Sequence, residues 1–332
     1  MKSALVFLTL FVTAAAVRAQ PPSTFDPKLV AHWKAIGAKI GWLQEGDRAW
    51  HLYCEQKPDQ PSLPAIHWPA VESFEFGLLA SMPAPAAPFA FDFHRTNAGA
   101  PELRELHGFK HLVSLNMDGV QLDDAGFREI APLKGLKTLY VRYAKVSDDG
   151  VKNIAGLTKL RAIDIACTKI GDASLKHFAG MPELESLVLQ FTSVQGSGLK
   201  ELRKRPKLRH VFLAGSASDD GLKEVGKLKH LEHLDLWAAK VSDRGLRELT
   251  ALTRLTNIDL SDTLVTDAGI KTLTAVKSLK IVQIYRTKVT DACLEDAGMF
   301  PNLRILCLSK ETTSEEAVSR FRKAHPKVTV HR

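Results

Sequence analysis

Two hydrophobic rhythms alternate along most of the chain. In one stretch the apolar positions are Leu231, Leu234 and Leu236, then Val241, then Leu246, Leu249 and Leu252. The first group alternates with polar residues, which is the period of a half-buried strand. The last group is spaced three apart and lays one helix face against a core. Between them stand Ser/Thr-Asp pairs such as Ser147-Asp148, Ser242-Asp243, Thr266-Asp267 and Thr290-Asp291. Their oxygens can accept from the free N–H groups of a helix start. Each unit therefore predicts a strand, a turn, a helix and a return to a parallel strand.

The unit recurs. Leucines stand at Leu112, Leu136, Leu160, Leu184, Leu208, Leu231, Leu255, Leu279 and Leu303, every step being 24 residues except the 23 from Leu208 to Leu231. Such a period signals a stack of equivalent units, since one unit cannot bury its apolar face alone. The register extends back to Pro88 and forward to Val318, Phe321 and the extended run Val328-Thr329-Val330, which is expected to cover the open end. The prediction is an α/β chain: a right-handed parallel β-α solenoid, a horseshoe or arc, of ten units over residues 88–332. The short unit loses its residue between Ser216 and Asp220, where a local bend is expected.

Residues 20–87 lie outside the register and are expected to cap the first unit, ending in a Pro/Ala-rich linker. Asp26-Pro27 reads as an N-cap followed by a proline in the first helical position. Leu29, Trp33, Ile36 and Ile40 would share one face of that helix, with Gly41 ending it. Trp50, Leu52 and Cys54 alternate like a short strand. The tryptophans Trp33, Trp42, Trp50 and Trp68 are expected in the core.

The pattern L-x-x-L-x-L-x-x-T-x-V-T-D-x-G-L, seen in the unit at Leu255, resembles the leucine-rich repeat family over Pro88 to Arg332. It is most similar to the secreted bacterial members, and similar also to the cysteine-containing repeats that follow an F-box. It departs from the latter because Cys167, Cys293 and Cys307 fall on three different repeat positions. The resemblance implies a non-catalytic binding protein; the F-box likeness implies a ubiquitin-ligase-type substrate receptor as the alternative.

The repeat also assigns each side chain a facing. Counting from the first leucine, offsets two, four, six and seven should face the concave surface. The candidate partner-binding residues there are Tyr140, Arg142, Tyr143, Asp164, Phe191, Phe212, Asp235, Trp237, Asp259, Tyr285 and Arg286. Exposed aromatics among a few charges are the usual content of a protein-binding hot spot. A protein ligand is therefore expected, with a glycan as the second class. His210 and His233 share offset two on neighbouring strands, with Asp235 nearby. Such a set could hold a transition metal, but a solvated polar face is the preferred reading, so neither metal nor cofactor is expected.

Charge and targeting add two points. Met1-Lys2, the apolar run Ala4 to Val17 and Val17-Arg18-Ala19 form a signal-peptide pattern cleaved after Ala19. The run is shorter than the roughly 20 residues a membrane span needs, and no second run is longer. Residues 1–19 are thus expected to be removed and the protein exported, which lowers the formal charge from +8 to +6. Lysines and arginines fall mostly on helical and turn segments, as in Lys200, Arg203, Lys204, Arg205 and Lys207. No alternating basic and aromatic stripe of the kind single-strand binders use is present, so nucleic acid is not expected. The four cysteines are scattered and expected as free thiols, with Cys167 and Cys307 at outward positions the more reactive. No H-E-x-x-H, G-x-S-x-G or Cys-x-x-Cys motif occurs. The chain is not expected to be an enzyme; a hydrolase assembled across units around His210 or His233 is the remaining alternative.

Overall fold

A computed structural model describes residues 25–45, 51–55, 57–58, 62–69 and 77–332. The expected signal peptide and Trp50 lie outside them. Among the described residues all strands belong to one fourteen-stranded sheet. It begins with three strands from the region before the repeats: β1 (Lys39–Glu45), β2 (His51–Cys54) and β3 (Ser62–His67). β1 lies between β2 and β3 and is antiparallel to both. From β3 onward every pairing is parallel: β4 (Phe89–Asp92), β5 (Leu112–Asn116), then β6 to β13, which run from Thr138–Tyr140 to Ile305–Cys307. From β3 to β13 each strand pairs with the next in sequence order. The terminal run forms β14 (Thr329–His331), parallel to β13.

Parallel strands need a crossover, and the helical half of each unit supplies it. One continuous core threads the stack, because the leucines at the first, fourth and sixth positions are buried in unit after unit. The N-terminal region shares that core. Helix α1 (Pro27–Ala35) starts at Asp26, whose side chain accepts from the Lys28 N–H at 2.7 Å. Its Trp33 is fully buried against Trp68, Phe91 and Phe109. The helix ends earlier than its apolar spacing suggested. Gly37, at φ +90°, turns the chain, and Ile40 and Gly41 are already in β1. Extended pairing with β3 satisfies the backbone there in place of another helical turn.

The Ser/Thr-Asp pairs do more than cap. Asp243 accepts from both the Thr266 N–H (2.9 Å) and the Thr266 hydroxyl (2.6 Å) of the following unit. Asp124 with Ser147, Asp219 with Ser242, Asp267 with Thr290 and Asp291 with Ser314 repeat this pairing. Asp148 and Asp172 reach only backbone N–H groups of the next unit, those of Gly171 and of Gln195, Gly196 and Gly198. The carboxylates thus staple unit to unit. At the short unit the staple is missing, because Gly196 replaces the aspartate. There the Ser218 N–H donates directly to the Gln195 carbonyl at 3.2 Å, one residue fewer having drawn the two backbones together.

Candidate concave binding face

The strand register places the expected ladders side by side. Offset four runs Asp92, Asn116, Tyr140, Asp164, Val188, Phe212, Asp235, Asp259, Gln283 and Cys307 in consecutive pairing. This ladder is nonetheless largely structural. Asp164, Asp235 and Asp259 each accept from the backbone N–H two residues on, at Ala166, Trp237 and Ser261, and so end their strands with a local turn. Asp164 and Asp235 are buried, and so are Tyr140 and Phe212, at 3% and 2% exposure. The expectation that these four present themselves to a partner is corrected. The concave layer packs on itself: Phe212 joins Ala166 and Val188 in a small apolar cluster and lies 4.9 Å from the His233 ring.

Offset seven also differs from a simple strand. Regular strands stop at offset four, and the residue three further on is left-handed in nine successive units. Tyr143, Phe191, Asp262 and Arg286 all have φ between +50° and +64°. Their N–H groups bond across to the next unit, as Phe191 does to the Ala214 carbonyl at 2.8 Å and Asp262 to that of Tyr285 at 2.8 Å. The ladder of hydrogen bonds therefore continues while the side chains swing outward. This backbone turn is what exposes Tyr143 and Phe191, whereas Trp237 stands one position earlier, at offset six, just before the left-handed Ala238. Tyr143, Phe191 and Trp237 are 54%, 47% and 39% exposed; Arg286 is exposed, while Arg142, Asp259 and Tyr285 are half-buried.

Two groups form on this face. The first is aromatic. Phe191 meets Trp237 edge to face with ring centroids 5.6 Å apart. The Trp237 indole N–H donates to Asp262 at 2.7 Å, and the Arg286 guanidinium donates to the other oxygen of Asp262 at 2.6 Å. Asp262 was outside the expected set, although it neighbours Arg286 on the offset-seven ladder. The second group is ionic. Arg142 lies between Asp118 and Asp164, 3.9 Å from each carboxylate, and its guanidinium stands 5.5 Å from the Tyr143 ring centre. Burial, with the Asp118 charge behind it, pushes the Asp164 carboxyl up to about 7, against the pull of Arg142 and of the Ala166 N–H. Burial likewise raises Asp118.

His210 and His233 are ladder neighbours, with ring centroids 6.2 Å apart. Asp235 accepts from Gln190 Nε2 at 2.8 Å as well as from the Trp237 N–H. Among the described residues no three His, Cys, Asp or Glu side chains converge in a way that could hold a metal ion. All four cysteines are free. Cys307 is buried rather than outward, and burial raises the thiols of both Cys167 and Cys307, which makes them less reactive than their offsets suggested.

A leucine-rich repeat protein from Leptospira interrogans superposes with a TM-score of 0.54 at 18% identity, over 73% of this chain and 72% of its own. This chain has the leucine-rich repeat fold. An internalin from Listeria monocytogenes gives 0.47 at 18% identity over 70% of this chain and 76% of that one. A plant peptide hormone receptor, solved in complex with RGF2, gives 0.46 at 18% identity; this chain spans 39% of its length. No protein-family model and no curated protein matches the sequence. In this leucine-rich repeat chain no described helix is long and apolar enough to cross a membrane.

Proposed function

We propose that this chain is an exported, non-catalytic binding protein that takes a protein partner on its concave face. The contact centres on Phe191 and Trp237, flanked by Tyr143 on one side and the Asp262–Arg286 pair on the other. The observation that carries this reading is the exposed edge-to-face pair of Phe191 and Trp237. Nothing in the stack requires large aromatic rings at those positions, and Trp237 is held in place by a hydrogen bond to Asp262 rather than by the core. Rigid aromatic anchors beside a charge pair concentrate binding energy. Export rests on the N-terminal signal pattern, and Edman or mass-spectrometric reading of the mature N-terminus should begin at Gln20.

The binding test compares the wild type with Phe191→Ala/Trp237→Ala in crosslinking capture from the exported fraction. The variant keeps its melting temperature and loses the captured partner. Equal capture by both proteins at equal stability would move the binding face elsewhere. Tyr140 and Phe212 do not belong in such a variant, because both are packed and their truncation would report folding.

A further inference from the structure

Charge is not spread evenly across the stack. Consider the edge where each strand starts, taking the four residues from two before to one after the repeat leucine, from the unit at Pro88 to the closing turn at Lys327. This edge holds thirteen lysines and arginines and three glutamates. The opposite edge, where the turns enter the helices at offsets eight to thirteen, holds thirteen carboxylates and five cations. One edge alone thus carries more positive charge than the formal +8 of the whole chain.

The two edges also differ in how their charges are used. Seven aspartates of the acidic edge are held by the next unit. On the basic edge the three glutamates are consumed by Arg161, Lys207 and Arg209. The remaining ten cations, among them Lys137, Lys159, Lys280 and Arg304, are exposed and have no carboxylate partner among the described residues. Some of them complement helix ends: Lys229 donates to the Gly226 carbonyl at 3.1 Å. That role explains a lysine per helix end, not a second row on the strand side of the leucine, where Lys137, Arg161, Arg209, Lys280 and Arg304 stand.

We propose that this strand-start edge binds a linear acidic polysaccharide carrying carboxylate or sulfate groups, laid across successive units. Adjacent strands are about 4.8 Å apart, close to the length of one sugar residue in an extended chain, so cation and anion periods match along the row. The windows contain no Phe, Tyr or Trp except the buried Phe89, so the edge has no large aromatic platform for stacking bases, and a single-stranded nucleic acid is disfavoured. The surface is separate from the aromatic concave group.

The test uses the full chain and isothermal calorimetry at low salt. The probes are polygalacturonate, heparin, neutral dextran, a thymidine oligonucleotide and phosphatidylglycerol vesicles. Polygalacturonate or heparin should bind with affinity falling steeply as salt rises, while dextran does not bind. Lys137→Glu/Lys159→Glu/Lys280→Glu should weaken that binding by about tenfold or more. Lys145→Glu/Lys169→Glu/Lys288→Glu, the same charge change on the opposite edge, should retain it to within about twofold. Thermal melting of both triple variants confirms that they fold. No heat with either acidic polysaccharide, or equal loss in the two variants, overturns the proposal. Tighter binding of the oligonucleotide or the vesicles overturns the assigned partner.

Discussion

The ring of Phe191 lies over the bare Cα of Gly215. A methyl group on Gly215 would stand 2.5 Å from Phe191 Cδ1 and Cε1. Gly215 is also left-handed, at φ +68°. The glycine therefore leaves both the space and the backbone freedom that let Phe191 reach across one unit to Trp237 in the next. Gly215→Ala is expected to cost about 1–2 kcal/mol and to weaken partner capture by displacing the ring. In the Phe191→Ala background the steric part of that cost disappears. A double-mutant cycle by chemical denaturation measures the difference; strict additivity would show that the two residues are not in contact.

Phe212 and Trp237 make a matched pair of opposite kind, one buried beneath the concave surface and one on it. Phe212→Ala should destabilise by about 3 kcal/mol, because it leaves a cavity in a packed cluster. Trp237→Ala should leave stability within about 0.5 kcal/mol. Urea unfolding followed by circular dichroism distinguishes them. A large loss for Trp237→Ala would place that ring in the core.

Asp164 sets a pH dependence. Its folded pKa, up to about 7, lies above the unfolded value of about 3.9, so the native state binds the extra proton between these limits. Stability contributed by this group is full below about pH 4 and is lost as pH rises to about 7, with no further loss above. Asp164→Asn should remove that slope and raise stability at pH 8. An amide can still accept from the Ala166 N–H, as Asn116 at the same ladder position does from Asp118 at 3.0 Å. Melting temperatures across pH 4–8 decide the matter; parallel curves for the two proteins would mean Asp164 ionises normally.

The inter-unit staples predict a local stability map. Asp243→Ala removes the acceptor for both the N–H and the hydroxyl of Thr266 and should cost about 2 kcal/mol. Hydrogen exchange should rise first at Thr266 and in the helix it caps. The junction at Gly196, which lacks the carboxylate, should already exchange faster in the wild type than the junctions on either side. Uniform protection along the stack would contradict this.

The period was legible because solenoid contacts are local. Each leucine from Leu112 to Leu303 buries itself against its own unit and its neighbours, so spacing alone reports facing and register. The pairing of His210 with His233 follows from counting, and so does the addition of a last strand, although it runs Thr329–His331, one residue later than the expected run. Asp262 was harder to see, since its role depends on which rotamer brings Trp237 within reach. Gly215 carries a signal of a kind, one of two glycines, with Gly119, in the offset-seven ladder. Its meaning appears only with Phe191 above it.

By itself the sequence determined the repeat, the parallel strand order, the buried leucines and the edge on which each charge falls. All of these depend on positions counted along the chain. Only the tertiary structure decided which outward offsets reach solvent. The backbone turns left-handed at offset seven, lifting Tyr143 and Phe191 clear, while Tyr140 and Phe212 at offset four pack against neighbouring strands. Exposure there is a property of several chains of atoms side by side, and no single strand's alternation contains it.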